Sequence, residues 1–239
     1  MDATQYPGLL PSYEHERLAA LQPYKVLGTP GQEVFNDFVS IVAKLFDMPI
    51  ALVSLVRADD VVFIGNAGLP EAQVVDREDS MCSVAILNDG ITEFRDVAAA
   101  PCALVNPFVA QQMHFGFYAG QALRSPKGLA VGSLCIMDRR PRQLTLLEGA
   151  LLKDLAQVAQ ELLRLQAALA TGSTVLEDLR PRLDASVQQS LTRLATLAEL
   201  NQWEAAPDAA ETRRYAESRL DEARFLAQSL YRELKAVRS

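Results

Sequence analysis

Histidine is nearly absent from this chain: there are two in 239 residues, with three cysteines beside them. Cys82, Cys102 and Cys135 are widely spaced and form no C-x-x-C pair, so the ligand spacing of a structural zinc site is missing. A Ser-His-Asp or Cys-His constellation needs a histidine beside its nucleophile. His15 lies near the N-terminus, which leaves His114 as the one candidate in the central region, and nothing in its local sequence builds such a site. There is also no glycine-rich phosphate loop, no Walker pattern and no paired acidic metal motif. These absences lead to the expectation of a protein without enzyme activity and without a bound metal.

Positive charge is in deficit as well. Lys and Arg number 23 against 30 Asp and Glu, for a net charge of −7 and a pI near 5.0. A nucleic-acid or anionic-membrane surface is therefore not expected. The one dense basic cluster, Arg139, Arg140 and Arg142, is broken by Pro141 and reads as a solvated turn. No window approaches the ~20 apolar residues of a membrane span. The first residues, Met1 to Pro11, lack the cationic start and apolar run of a secretory leader. An odd cysteine count with no leader points to a reducing cytoplasm. With 49% apolar and 22% charged residues, the chain has the composition of an ordinary folded domain.

What is present begins with two apolar runs. Ile50 to Val56 and Gly128 to Asp138 each read as a buried strand, short and bounded by residues that turn the chain. Before them, Val34, Phe35, Phe38, Ile41, Val42, Leu45 and Phe46 recur at helical spacing and predict an amphipathic helix over 30–47. A helix from Glu14 to Leu27 is kinked by Pro23. Between the runs, Asp59-Asp60 predicts a hairpin to a strand Val61–Ile64 closed by Gly65-Asn66-Ala67-Gly68. A short helix is expected from Ser80 to Leu87, capped by Asp79 or Ser80, with strands at Ile91–Phe94 and Phe115–Leu123. The count is five or six strands, largely antiparallel because the connections are short.

After Pro141 the pattern is helical. Leu147, Leu151, Leu155, Val158, Leu162, Leu165 and Leu169 form a near-heptad seam on one long helix. Two more helices follow, from Val175 to about Leu200 and from about Pro207 to the end. They read as an antiparallel hairpin that buries too little surface to stand alone. The organisation is a tail over 1–13, a domain over 14–166 and the hairpin over 167–239. The fold class is α+β: a central antiparallel sheet flanked by helices, then a long helix and the hairpin.

Residues 14–166 resemble a GAF domain, of the free-standing bacterial type found in sensor and signalling proteins. The resemblance rests on Glu16 to Leu21, Leu27-Gly28-Thr29-Pro30, Leu45 to Val56, Phe117-Tyr118-Ala119-Gly120, and Gly132 to Asp138 with Pro141 and Leu144 after it. It implies a ligand pocket on one face of the sheet, under the connecting segments, with helices that often dimerise on the other. Where relatives carry Ser-Phe-Cys-Ala-His, this chain has Ser80-Met81-Cys82-Ser83-Val84, and Ile64 replaces a usual basic or polar residue after Phe63. The hairpin resembles the dimerisation region of a histidine kinase without the phospho-accepting histidine, since none occurs after His114.

The ligand-binding candidates are Phe63, Cys82, Asp96, Asn106, Phe108, Gln111, His114 and Tyr118, a few polar groups in apolar surroundings, as in small-molecule sites. Cys82 stands near a helix N-terminus, which favours a lowered pKa. Cys102, after a proline in a loop, is the thiol most open to attachment. Cys135, on a core strand, reads as a small buried hydrophobe. The expectation is a non-enzymatic, cytoplasmic signalling regulator that senses a small molecule or a protein partner and forms a homodimer through its C-terminal helices. The resemblance leaves two alternatives: a photosensor or redox sensor carrying bilin or haem, and a cysteine-dependent methionine sulfoxide reductase.

Overall fold

The run Ile50–Val56 becomes strand β1, buried along its whole length. It reads as continuously apolar because both of its faces are covered. The computed structural model describes residues 7–24, 32–100, 102–106, 114–170, 174–200 and 209–236. Within them the sheet continues with β2 (Asp60–Ala67), β3 (Val74–Asp76), β4 (Thr92–Phe94), β5 (Phe117–Arg124) and β6 (Ala130–Asp138). The strands lie in the order β3-β2-β1-β6-β5-β4, and every neighbouring pair is antiparallel. The helices are α1 (Glu14–Leu21), α2 (Gln32–Leu45), α3 (Cys82–Ala85), α4 (Leu146–Ala170), α5 (Thr174–Leu200) and α6 (Ala209–Ala236). The α+β architecture expected from the sequence is the one observed.

Alternation along the strands sorts two cores. Ala51, Val53 and Leu55 of β1 face one layer, with α2, α4, α5 and α6. Ile50, Leu52 and Val56 face the other, with α3 and the connecting segments. Three local readings are corrected. The second strand does not stop at Ile64 but runs to Ala67, because a bulge lets Gly65 pair with Val53 and Phe63 with Ser54. A strand absent from the sequence reading, β3, pairs with β2 at the sheet edge. The helix expected over 80–87 shrinks to four residues after a 3-10 turn at Arg77–Asp79.

The bulge also changes the meaning of Ile64. It packs in the helix-side core, so its apolar character says nothing about the pocket.

A charged knot ties α1 to this frame. Arg17 is wholly buried. Its guanidinium donates to the Glu14 carboxylate at 2.6 and 2.7 Å and to the Val56 carbonyl at 2.7 Å. Arg77 donates to the same carboxylate at 2.5 Å and to the Leu9 carbonyl at 2.9 Å.

The leucine seam of α4 is used within the chain. Leu151, Leu155, Val158 and Leu162 are buried, and so are Leu152, Ala156, Ala159 and Leu163 beside them. A stripe that wide is a core face rather than a coiled-coil seam. On α4, Asp154 accepts hydrogen bonds from Arg224 and Gln228 of α6, both at 3.0 Å, while α5 packs against α2. The tail helices therefore pack against their own domain. Among the described residues, no helix is long and apolar enough to cross a membrane.

Candidate ligand pocket

On the face opposite the long helices, α3 and the loop at 102–106 roof a cavity of about 130 Å³. The sheet provides its floor through Leu52, Phe63, Tyr118 and Met137. Asp79, Ser80 and Cys82 enter from the segment leading into α3, and Asn106 from the loop. That loop is fixed in place: the Asn106 amide N–H donates to the Glu78 carbonyl at 2.8 Å, and its side chain donates to the Asp79 carboxylate at 3.0 Å.

Beside the cavity lies a buried polar group set. Ser54 and Ser133 oppose each other on β1 and β6, with their hydroxyl oxygens 2.9 Å apart. Next along β6 on that face, the Cys135 sulfur is 3.6 Å from the Cys82 sulfur. The Cys82 backbone N–H donates to the Ser80 hydroxyl at 3.3 Å, while Met81, rather than the expected Asp79 or Ser80, stands at the N-cap of the one-turn helix. Among the described residues the buried Tyr118 hydroxyl makes no hydrogen bond of ordinary geometry, although both thiols and the Ser133 hydroxyl bear on its ionisation. Gly120, two residues on along the same face, leaves the space that this hydroxyl fills: a Cβ there would collide with it.

The electrostatics follow from this crowding. The Cys82 thiol is lowered to about 6, chiefly by the hydrogen bond from Cys135, against burial and with help from the hydroxyls of Ser133, Ser54 and Ser80. Cys135 is pushed well up by the same hydrogen bond, by burial and by the Cys82 charge. Burial, and then the charges of the two thiols, push Tyr118 up.

Of the eight sequence candidates, Phe63, Cys82, Asn106 and Tyr118 meet at this cavity. Asp96 and His114 do not; they line a separate surface cleft of about 310 Å³ with Arg139. There the Asp96 carboxylate accepts from the N–H groups of Ala98 and Ala99 at 3.2 and 2.9 Å, a turn-forming role. His114 is exposed, with a φ of 53°. Phe108 and Gln111 lie outside the described residues. Cys102 is half-buried and packs against the pocket-side core.

Sequence reasoning missed Ser54, Ser133 and the approach of Cys135 to Cys82. The usable signal was a serine at the pocket-facing step of each apolar strand, where a hydroxyl needs a partner.

The arrangement is the one that the GAF resemblance implies, with a pocket under connecting segments on one sheet face and helices on the other. No family model matches the chain. Among solved structures it is similar to the GAF domain of an Acinetobacter phosphoenolpyruvate-protein phosphotransferase, at 13% identity and a TM-score of 0.48, covering 66% of this chain and 97% of that one. It is similar also to the blue-light absorbing form of the Thermosynechococcus elongatus PixJ GAF domain, at 13% identity and a TM-score of 0.48, covering 68% and 96%. These two likenesses are of fold and carry nothing about ligand or chemistry. A curated relative, a cyclic di-GMP phosphodiesterase of Pseudomonas aeruginosa, is 36% identical over 132 residues, which is 55% of this chain. The chain spans 22% of that relative's length. The match overturns the expectation that enzyme activity is foreign to this sequence, because the relative is named for one.

Proposed function

We propose that the chain is a sensory or regulatory domain in which a compact small molecule occupies the cavity under α3 and α4 carries the change to the tail helices. The observation that carries this reading is Tyr118, which floors the cavity and whose buried hydroxyl makes no hydrogen bond of ordinary geometry among the described residues. A buried donor left unmade costs about 1–3 kcal/mol, which a ligand acceptor restores. Asn106 and Asp79 add polar groups at the rim. The cavity of about 130 Å³ is smaller than the roughly 300–1,000 Å³ of drug-sized sites, which favours a compact ligand over a bilin or a haem.

Transmission has a physical route. The Arg124 N–H on β5 donates to Gln160 of α4 at 2.7 Å, and Arg164 of α4 donates back to the Arg124 carbonyl at 3.0 Å. A shift in β5, the strand that bears Tyr118, is thereby coupled to α4. We place the protein in the cytoplasm, whose reducing poise fits its three unpaired thiols. The tail, on which Phe225 is 63% exposed, is the surface we assign to a second copy or to a signalling partner. Native mass spectrometry of the purified full chain tests the reading. A bound mass that disappears in Tyr118→Phe supports it, and a bound mass indifferent to that change defeats it.

A second reading follows from the relative: the chain takes part in cyclic di-GMP turnover, as a regulatory portion of a phosphodiesterase or beside one. A cyclic dinucleotide is too large for the cavity, so this reading places the nucleotide elsewhere. Incubating the full chain with cyclic di-GMP and following its hydrolysis distinguishes catalysis by this chain from regulation of another.

A further inference from the structure

Cys82 and Cys135 are brought together by the fold, yet a ligand-binding role for the pocket uses only one of them. Their sulfurs are 3.6 Å apart although the residues are separated by 53 positions. Cys135 stands on β6, which is paired on both sides. Cys82 opens a helix of only four residues. A disulfide bond is about 2.05 Å long, so the sulfurs must close by roughly 1.5 Å, and a one-turn helix yields that distance more readily than a central strand. Cys82 also lines the cavity of about 130 Å³. One water occupies about 30 Å³ of liquid, so a small hydroperoxide has room beside the thiol. The hydrogen bond with Cys135, and after it the hydroxyls of Ser133, Ser54 and Ser80, favour its thiolate form, and the thiolate is the nucleophile.

We propose that Cys82 and Cys135 form a reversible dithiol–disulfide pair, in which a small hydroperoxide in the pocket oxidises Cys82 and Cys135 resolves the product. The Cys82 thiolate attacks the terminal oxygen of the hydroperoxide. An S–O bond forms, the O–O bond breaks, and the departing alkoxide or hydroxide takes a proton from solvent. Cys82 is then a sulfenic acid, oxidised by two electrons. The Cys135 sulfur attacks the Cys82 sulfur, the S–S bond forms, the S–O bond breaks, and the hydroxide leaves with the Cys135 proton as water. Two exchanges with an external dithiol restore both thiols and carry its electrons back. The bond staples α3 to the centre of the sheet at the cavity wall, so the oxidised and reduced pockets differ in shape. This inference does not depend on which ligand the cavity holds.

The test uses the reduced full chain with hydrogen peroxide as the probe, followed by denaturing alkylation and peptide mapping. The expected product is a peptide pair linked through Cys82 and Cys135, released by dithiothreitol, with Cys102 still alkylated. Cys82 should react about tenfold faster than Cys102 although it is the less exposed of the two, since the thiolate is the nucleophile. In Cys135→Ser the linked pair disappears and dimedone captures a sulfenic acid at Cys82. Circular dichroism checks that this variant is folded, and if it is not, the unsubstituted chain decides alone. Oxidation of Cys102 ahead of Cys82, or no Cys82–Cys135 link at a peroxide concentration that consumes Cys102, overturns the proposal.

Discussion

Glu14 accepts from two buried guanidiniums, and its ionisation shows what that arrangement does for the fold. Burial alone would raise its pKa, but the hydrogen bonds and charges of Arg17 and Arg77 outweigh burial and hold it below its ordinary value of 4.5. A carboxyl with a depressed folded-state pKa contributes stability that is fully present above the unfolded value and is lost as pH falls through the folded one. We expect Glu14→Ala to cost about 3 kcal/mol at neutral pH, because it leaves a buried Arg17 without its counter-charge. The difference from the parent should shrink below pH 4.5; urea unfolding on both sides of that value measures it. Tyr118→Phe should act in the opposite sense. Removing a buried hydroxyl that makes no hydrogen bond of ordinary geometry among the described residues is expected to raise the stability of the ligand-free protein by about 1 kcal/mol, read as a higher urea midpoint.

At the scale of elements, the contact between β1 and β6 is the tightest constraint. A Cβ on Gly132 would run into the Ser54 carbonyl, so Gly132→Ala should force the two central strands apart. We expect a loss of about 2–3 kcal/mol in thermal or urea unfolding, within the 1–3 kcal/mol usual for overpacking. The long elements were legible in the sequence because their periods are long enough to read: α2 from its apolar recurrence, β1 from an unbroken buried run. The three-residue β3 and the four-residue α3 carry no period, and tertiary pairing alone defines them. The site shows the same division. Phe63, Cys82 and Tyr118 could be named from motifs in their own segments. The Ser54–Ser133 and Cys82–Cys135 encounters depend on strand register between distant segments, which no local pattern encodes.

The whole molecule closes its helical layer on itself. The α4 stripe reads as a near-heptad seam when only its heptad positions are weighed; Leu152, Ala156, Ala159 and Leu163 widen it into a core face. The tail is then part of the same folding unit. Leu230 of α6 is fully buried, and Leu230→Ala should cost about 3 kcal/mol, in the usual range for a buried leucine. Native-state hydrogen exchange should show α4 and α6 losing protection together. Loss confined to α6 would mean that the tail opens on its own. Phe225→Ser offers a separate check on association: if the exposed face joins two copies, sedimentation of the full chain should shift toward the monomer.

The central strand pairing also sets a timetable for the chain's birth. Ser54 and Ser133 face each other across 79 residues, and at about 5–20 residues per second of synthesis β1 waits on the order of ten seconds for β6 to emerge. During that interval only β2 can cover one of its edges, while the other stays open on a strand apolar on both faces. Such an edge invites pairing with another nascent chain. The β1–β6 seam is thus among the last in the sheet to close during translation, and a pause in translation between β5 and β6 would lengthen its exposure.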